Sequence, residues 1–198
     1  MKSLKIKTLL LSIALLVGAG INAQEFHYGI NAGSNFAVQS GIAEYYKNEN
    51  IRTGLHVGVF GNMALKNNFS LQGEINYEQK GEKEDGNIRK YDYISVPVLV
   101  KYSLGKSDKT KLKFNINAGP YAGYLINAET EIEDVTTDIK DNSEDFELGA
   151  ILGFGMKYPI ANNNIVFDLR MGLGFTDFDK NDSDPKNKYI GISLGYEF

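Results

Sequence analysis

FSLQGEINYE, residues 69–78, decides the fold. Phe69, Leu71, Ile75 and Tyr77 alternate with Ser70, Gln72, Glu74, Asn76 and Glu78. A period of two sends the two sets to opposite faces of an extended chain. The segment therefore reads as a β-strand with one apolar and one polar face.

The same rhythm runs outward from this strand in both directions. Upstream, Leu55, Val57, Val59 and Met63 are set against His56, Gly58 and Asn62. Before them, Phe26, Tyr28, Ile30, Ala32 and Phe36 face away from Gly29, Asn31, Gly33 and Asn35. Downstream come Ile94, Val96, Val98, Val100 and Tyr102, then Leu112 to Ile126, Phe146 to Tyr158, Ile165 to Phe175, and Ile190 to Phe198. Eight such segments can close into an antiparallel ring with no free edges. The connections alternate in length. Long polar ones cover 39–53, 80–92, 127–145 and 177–188, and short ones cover 65–68, 103–110 and 159–163. Long external loops opposite short periplasmic turns are the asymmetry of an outer-membrane barrel. The expected fold is all-β, an eight-stranded antiparallel transmembrane up-and-down β-barrel.

Composition decides which face is inside. Twelve glycines (29, 33, 58, 119, 123, 149, 153, 155, 172, 174, 191 and 195) share the polar phase. An exposed strand gains nothing from glycine, whereas a narrow lumen needs small residues beside large ones. Aromatics of the apolar phase gather at strand ends, as two interfacial girdles around an aliphatic band would. The apolar face therefore meets lipid. The mean hydropathy of −0.28 fits a barrel whose lumen and loops are polar. The net charge of −4 argues against nucleic acid. With no cysteine, disulfides and thiolate chemistry are excluded.

At the start of the chain, Lys2, Lys5 and Lys7 precede an apolar run from Thr8 to Ile21. That run is too short to span a bilayer, which takes about 20 residues. With Ile21-Asn22-Ala23 behind it, it reads as a secretory signal peptide cut before Gln24. Residues 1–23 are then the leader and 24–198 the barrel domain.

SLQGEINYEQKG (70–81), YISVPVLVKYSL (93–104), NINAGPYAGYLI (115–126), FELGAILGFGMKY (146–158) and LRMGLGFTDF (169–178) resemble the PorT-like family of outer-membrane β-barrel domains. The resemblance covers nearly all of 24–198 and includes the terminal aromatic Phe198. It implies a small porin-like outer-membrane barrel and no catalytic residue. The secretion role of the family's namesake does not carry over to so broad a family.

Inward-phase charges are few and of both signs. Glu74 and Arg170 sit near mid-height on strands that are opposite in an eight-strand ring, and Gly172 and Gly174 leave room for the arginine. Asp168, Lys101, Lys113, Lys157 and Glu197 lie nearer the periplasmic end. A lone charge in a poorly solvated lumen is costly, so pairing is expected. The network reads as a plug, with a gate or narrow ion path as the other reading. Pro97 removes a ladder donor, and Tyr91 and Tyr93 fall out of phase with the valines, so a bulge or bend is expected there.

The connection 127–145 carries Glu129, Glu131, Glu133, Asp134, Asp138, Asp141, Glu144 and Asp145 against Lys140 alone. It reads as a solvated acidic loop, with a partner-binding or cation-binding surface as the alternative. The stretch Asp177 to Asp184 resembles a calcium loop only loosely. Asp182 and Lys188 stand where an EF-hand needs glycine and glutamate. No metal and no cofactor are expected. Only His27 and His56 are available for acid–base work, near opposite ends of the lumen, so an enzyme is not expected. The chain reads as a small barrel with a binding, assembly or structural role. A narrow porin is the alternative, and a lipid-modifying enzyme comes third. Its expected partners are outer-membrane lipids, the barrel assembly machinery reading Tyr196 and Phe198, and a protein at the external loops.

Overall fold

The computed structural model describes residues 25–38, 51–84, 87–104, 112–133, 135–176 and 186–198. The leader, Asp134 and the Asp177–Asp184 stretch lie outside the described residues. The elements are β1 (Phe26–Val38), β2 (Arg52–Ala64), β3 (Phe69–Glu84), β4 (Asn87–Leu104), β5 (Lys113–Ile132), β6 (Val135–Asp138), β7 (Phe146–Ile160), β8 (Asn163–Gly174) and β9 (Lys188–Glu197). All but β6 form the ring. Each strand pairs antiparallel with its neighbour, and β1 closes on β9 with Ile30 opposite Tyr196 and Phe36 opposite Ile190. The protein is a closed eight-stranded barrel.

The apolar phase points outward: Phe26 is 57% exposed, Ile75 56% and Leu194 61%. The polar phase points inward, where Asn35, Gln72, Asn76 and Glu78 are buried. Stacked or tilted ring pairs Tyr28–Phe198, Phe69–Tyr102 and Phe114–Phe154 mark the rim near the termini. Tyr124–Phe146 marks the opposite rim. At the near rim two tight turns join β2 to β3 and β7 to β8. Asn67, Asn68 and Ala161 take positive φ there, a region that asparagine enters more readily than most residues.

Three expectations are corrected. First, 80–92 is not a loop. β3 and β4 continue as a paired hairpin, with Gly81 opposite Lys90 and Glu84 opposite Asn87. Likewise 127–145 is mostly ordered secondary structure. β5 runs 20 residues to Ile132 and turns back as β6, and a 3-10 turn follows at Lys140–Asn142. The outer face of these extensions meets water rather than lipid and mixes polar with apolar residues, so the regular alternation that marks a membrane strand is broken.

Second, Pro97 does not shift the register. Gly73 faces Val98 on one side of it and Asn76 faces Ser95 on the other. The irregularity lies on β5, where Asp92 faces Asn127 but Tyr93 faces Leu125. Ile126 is therefore an extra residue, and Leu125 and Ala128 both turn inward. Tyr91 and Tyr93 are out of phase with the outward valines, as expected, and they flank the point where the register shifts. They are inward residues packed with Leu125 and Ala128. Third, Gly172 does not make room for Arg170: a Cβ there would lie 2.1 Å from the Tyr189 ring, while one at Gly153 would lie 2.9 Å from Arg170 Cγ.

Candidate functional site

The lumen holds its charges in three tiers. In the lowest, near the termini, the Lys157 ammonium donates to both carboxylate oxygens of Glu197 at 2.6 and 2.8 Å. The Asn164 amide donates to the same carboxylate at 2.9 Å. Below them a vestibule of about 740 Å³ opens at the rim near the termini, lined in part by His27, Ser70, Asn115 and Lys113. Lys113 is exposed at this mouth rather than buried in the lumen. Its cross-strand neighbour is Lys157, another cation, and repulsion keeps the ammonium toward water.

The middle tier joins Glu74 on β3 to Arg170 on β8 at 2.8 Å across the lumen. Both are nearly fully buried. Glu74 also accepts from Gln72 at 2.5 Å and Asn76 at 2.9 Å. Arg170 lies 3.5 Å from Asp168, and Lys101 lies 3.9 Å from the same aspartate. Asn117 donates to Asp168 at 3.2 Å, and Lys101 donates to Gln72 at 3.1 Å. Two cations and two anions thus share one layer with an amide shell, the arrangement that offsets desolvation.

Sequence reasoning missed the upper tier. Lys80 is fully buried, 3.2 Å from Glu78 and 2.9 Å from Glu147. Three tyrosine rings enclose its ammonium, with centroids at 5.1 Å for Tyr93, 4.6 Å for Tyr121 and 4.9 Å for Tyr189. Ring faces carry negative potential, so they attract the cation that they screen from water. The Tyr121 hydroxyl donates to Glu147, and Asn187 donates to Glu147 at 2.7 Å. His56 lies 3.4 Å from Glu78 through Nδ1 and 2.9 Å from Asn31 Oδ1 through Nε2. Two lumen glycines make the cage fit: a Cβ at Gly149 would lie 2.5 Å from the Tyr121 ring, and Gly172 accommodates Tyr189. The signal in the sequence was parity, because Lys80 is in phase with Glu74 and Glu78.

The space left between the upper and middle tiers, among Asn35, His56, Glu78, Arg170 and Tyr189, is about 10 Å³. The tiers therefore touch rather than enclose a chamber. Leu99, Tyr121 and Ile151 add an apolar contact across the same interior.

Among the described residues, the acidic side chains of 127–145 lie outside the lumen. Glu129 and Glu131 are on β5, Glu133 is in the hairpin turn at φ 47°, and Asp138 ends β6. Asp141 lies in the 3-10 turn, and Glu144 and Asp145 lead into β7. Glu131 pairs with Lys90 at 2.5 Å. At the chain end, Tyr196 accepts from Asn163 at 2.7 Å and its ring sits edge-on to Phe198.

The ring closes on a lipid-facing apolar band, and comparison with known proteins agrees with that geometry. Neisserial surface protein A superposes with a TM-score of 0.60 at 13% identity, over 89% of this chain and 98% of that one. A major outer membrane protein from Thermus thermophilus gives 0.55 at 12% identity, over 88% and 100%. OprG from Pseudomonas aeruginosa gives 0.51 at 9% identity, over 89% and 98%. At such identities the likeness is one of fold. No curated protein sequence matches the chain. A family model, "Outer membrane protein beta-barrel domain", matches residues 22–180. The chain therefore belongs to the outer membrane β-barrel domain family and resides in the outer membrane.

Proposed function

We propose that this barrel is a sealed, non-catalytic component of the outer membrane whose interior is structural and whose work is done by its external hairpins. The observation that carries the reading is Lys80, buried between two carboxylates and three tyrosine rings directly above the Glu74–Arg170 layer. A hydrated ion would have to displace both tiers. Eight-strand lumens are just wide enough for side chains to fill. His56 is held among Glu78 and Asn31 inside the wall, away from any lipid bond. On this reading Tyr196 and Phe198 serve as the assembly signal, residues 1–23 are removed on export, and the strand motifs belong to the PorT-like branch of the family.

Purified barrel in planar bilayers tests the proposal. It should give no discrete conductance steps at potentials that its inserted state tolerates. Reproducible steps from the unmodified protein would overturn the sealed reading in favour of a narrow porin. N-terminal sequencing of protein from outer membranes should begin at Gln24.

A further inference from the structure

Among the described residues the barrel wall is tallest where β3, β4 and β5 rise beyond the rim. There β6 adds a fourth strand that belongs to no ring. Among the described residues β6 pairs with β5 alone, and all four of its residues are exposed. Its other edge has no partner strand among the described residues, and Val135–Asp138 contains neither proline nor lysine to blunt it.

The register says which groups point outward from that edge. Ile139 donates its backbone N–H to the Ala128 carbonyl at 3.0 Å. Hydrogen-bonded and non-bonded pairs alternate along an antiparallel ladder. Thr130–Thr137 and Ile132–Val135 are thus bonded pairs, and Glu131–Thr136 and Glu129–Asp138 are not. The N–H and C=O groups of Thr136 and Asp138 then face away from β5, toward that edge.

The two faces of the hairpin differ in chemistry. Residues directly opposite each other share a face, so Glu129, Glu131 and Asp138 lie on one side and Ile132 and Val135 on the other. Ile132 is 48% exposed and Val135 65%. A strand added here would lie beside Thr136 and Asp138 on one face and Val135 and Thr137 on the other, with Glu129 and the Lys90-paired Glu131 one strand further in on the acidic face. Its complement is a segment in which cationic and aliphatic residues alternate.

We infer that β6 is a docking edge for an extended polypeptide segment of alternating basic and aliphatic residues, captured by strand addition. The inference deepens the proposed function, because it assigns partner chemistry to an external hairpin. It stands or falls independently of whether the lumen conducts. A second copy of this chain fits worse, since two acidic hairpins would meet edge to edge.

The probe is a capped octapeptide of alternating lysine and valine, added to the full barrel in lipid nanodiscs. Binding should slow hydrogen exchange at the Thr136 and Asp138 amides and leave Thr137 unchanged. Thr136→Pro removes an edge donor but no ladder donor, so the hairpin persists while affinity falls about tenfold. Asp138→Asn, which leaves the Lys90–Glu131 pair intact, should weaken binding and flatten its salt dependence. A peptide of equal charge, N-methylated on alternate residues, should lose binding; if it binds as well as the parent, attraction is electrostatic only and strand addition is wrong. Thr136 and Asp138 amides already protected before peptide is added would show the edge occupied by the chain itself. A dimer dissolved by Thr136→Pro would show it occupied by a second copy. Either result overturns the inference.

Discussion

The upper and middle tiers of the lumen use the same kinds of side chain to opposite degrees of redundancy. The middle tier balances Arg170 and Lys101 against Glu74 and Asp168 and surrounds them with the amides of Gln72, Asn76 and Asn117. The upper tier sets one lysine against Glu78 and Glu147, with tyrosine rings in place of amides. When one charge leaves the middle tier, three others and their amides can rearrange. When Lys80 leaves the upper tier, two buried carboxylates face each other with only His56 and neutral donors nearby. The comparison teaches that burial alone does not rank these residues; the number of alternative partners does.

The sharpest break is Lys80→Met. It keeps the stem's volume and removes the charge, and leaving uncompensated buried charge typically costs about 3–5 kcal/mol. The expected outcome is a large fall in the urea midpoint of the folded barrel, measured by the shift between folded and unfolded bands on cold detergent gels. Adding Glu78→Gln and Glu147→Gln should recover most of the loss, because no unpaired charge then remains. A triple variant no more stable than Lys80→Met would mean that the tyrosine cage, not the ion cluster, carries the stability.

The middle tier should respond less. Glu74→Gln and Arg170→Met each remove one member of a four-charge layer, and a hydrogen bond to a charged group is worth about 1.5–3 kcal/mol. Their double-mutant cycle should show coupling well above about 0.5 kcal/mol, since the two groups touch. Additive, near-zero effects on stability together with altered conductance would falsify the sealed reading, because they are what a wet, screening channel gives.

How much of this was legible follows from where lipid acts on the sequence. In the membrane band, one face must be apolar and the other polar, so strand phase, ring order and the opposition of Glu74 to Arg170 could all be read from residues. Beyond the rim that constraint ends. Lys80, Gly81, Lys83 and Lys90 look like a charged loop, and the parity that places Lys80 inward was masked by its neighbours. Tyr93, Tyr121 and Tyr189 were hidden for a different reason. Aromatic residues suggest lipid interfaces, and only the local register shows that these rings fill spaces left by glycines such as 149 and 172. The phase of Tyr91 and Tyr93 did signal an irregularity in this region, but nothing in the residues put the extra one on the partner strand at Ile126 rather than at Pro97.

The smallest effect should come from the same ion-pair chemistry placed outside the wall. Lys90 and Glu131 bridge β4 and β5 on the tall hairpins at 2.5 Å, closer than either ion pair of the Lys80 ammonium. Their side chains, however, are 31% and 27% exposed. Water reaches both partners, so little desolvation is at stake when one is lost, and the survivor is solvated again. Exposed pairs typically contribute about 0.2–1 kcal/mol. A Lys90→Met/Glu131→Gln cycle should give coupling in that range at low ionic strength. Near 1 M salt, where screening acts within about 3 Å, the coupling should vanish. The Lys80 cluster should keep its coupling under the same salt, because ions cannot enter it. Salt titration of the two cycles side by side therefore separates distance from burial. If the Lys80 coupling fell with salt as steeply as that of Lys90, the upper lumen would be open to bulk electrolyte, and the shorter external contact would be the stronger one after all.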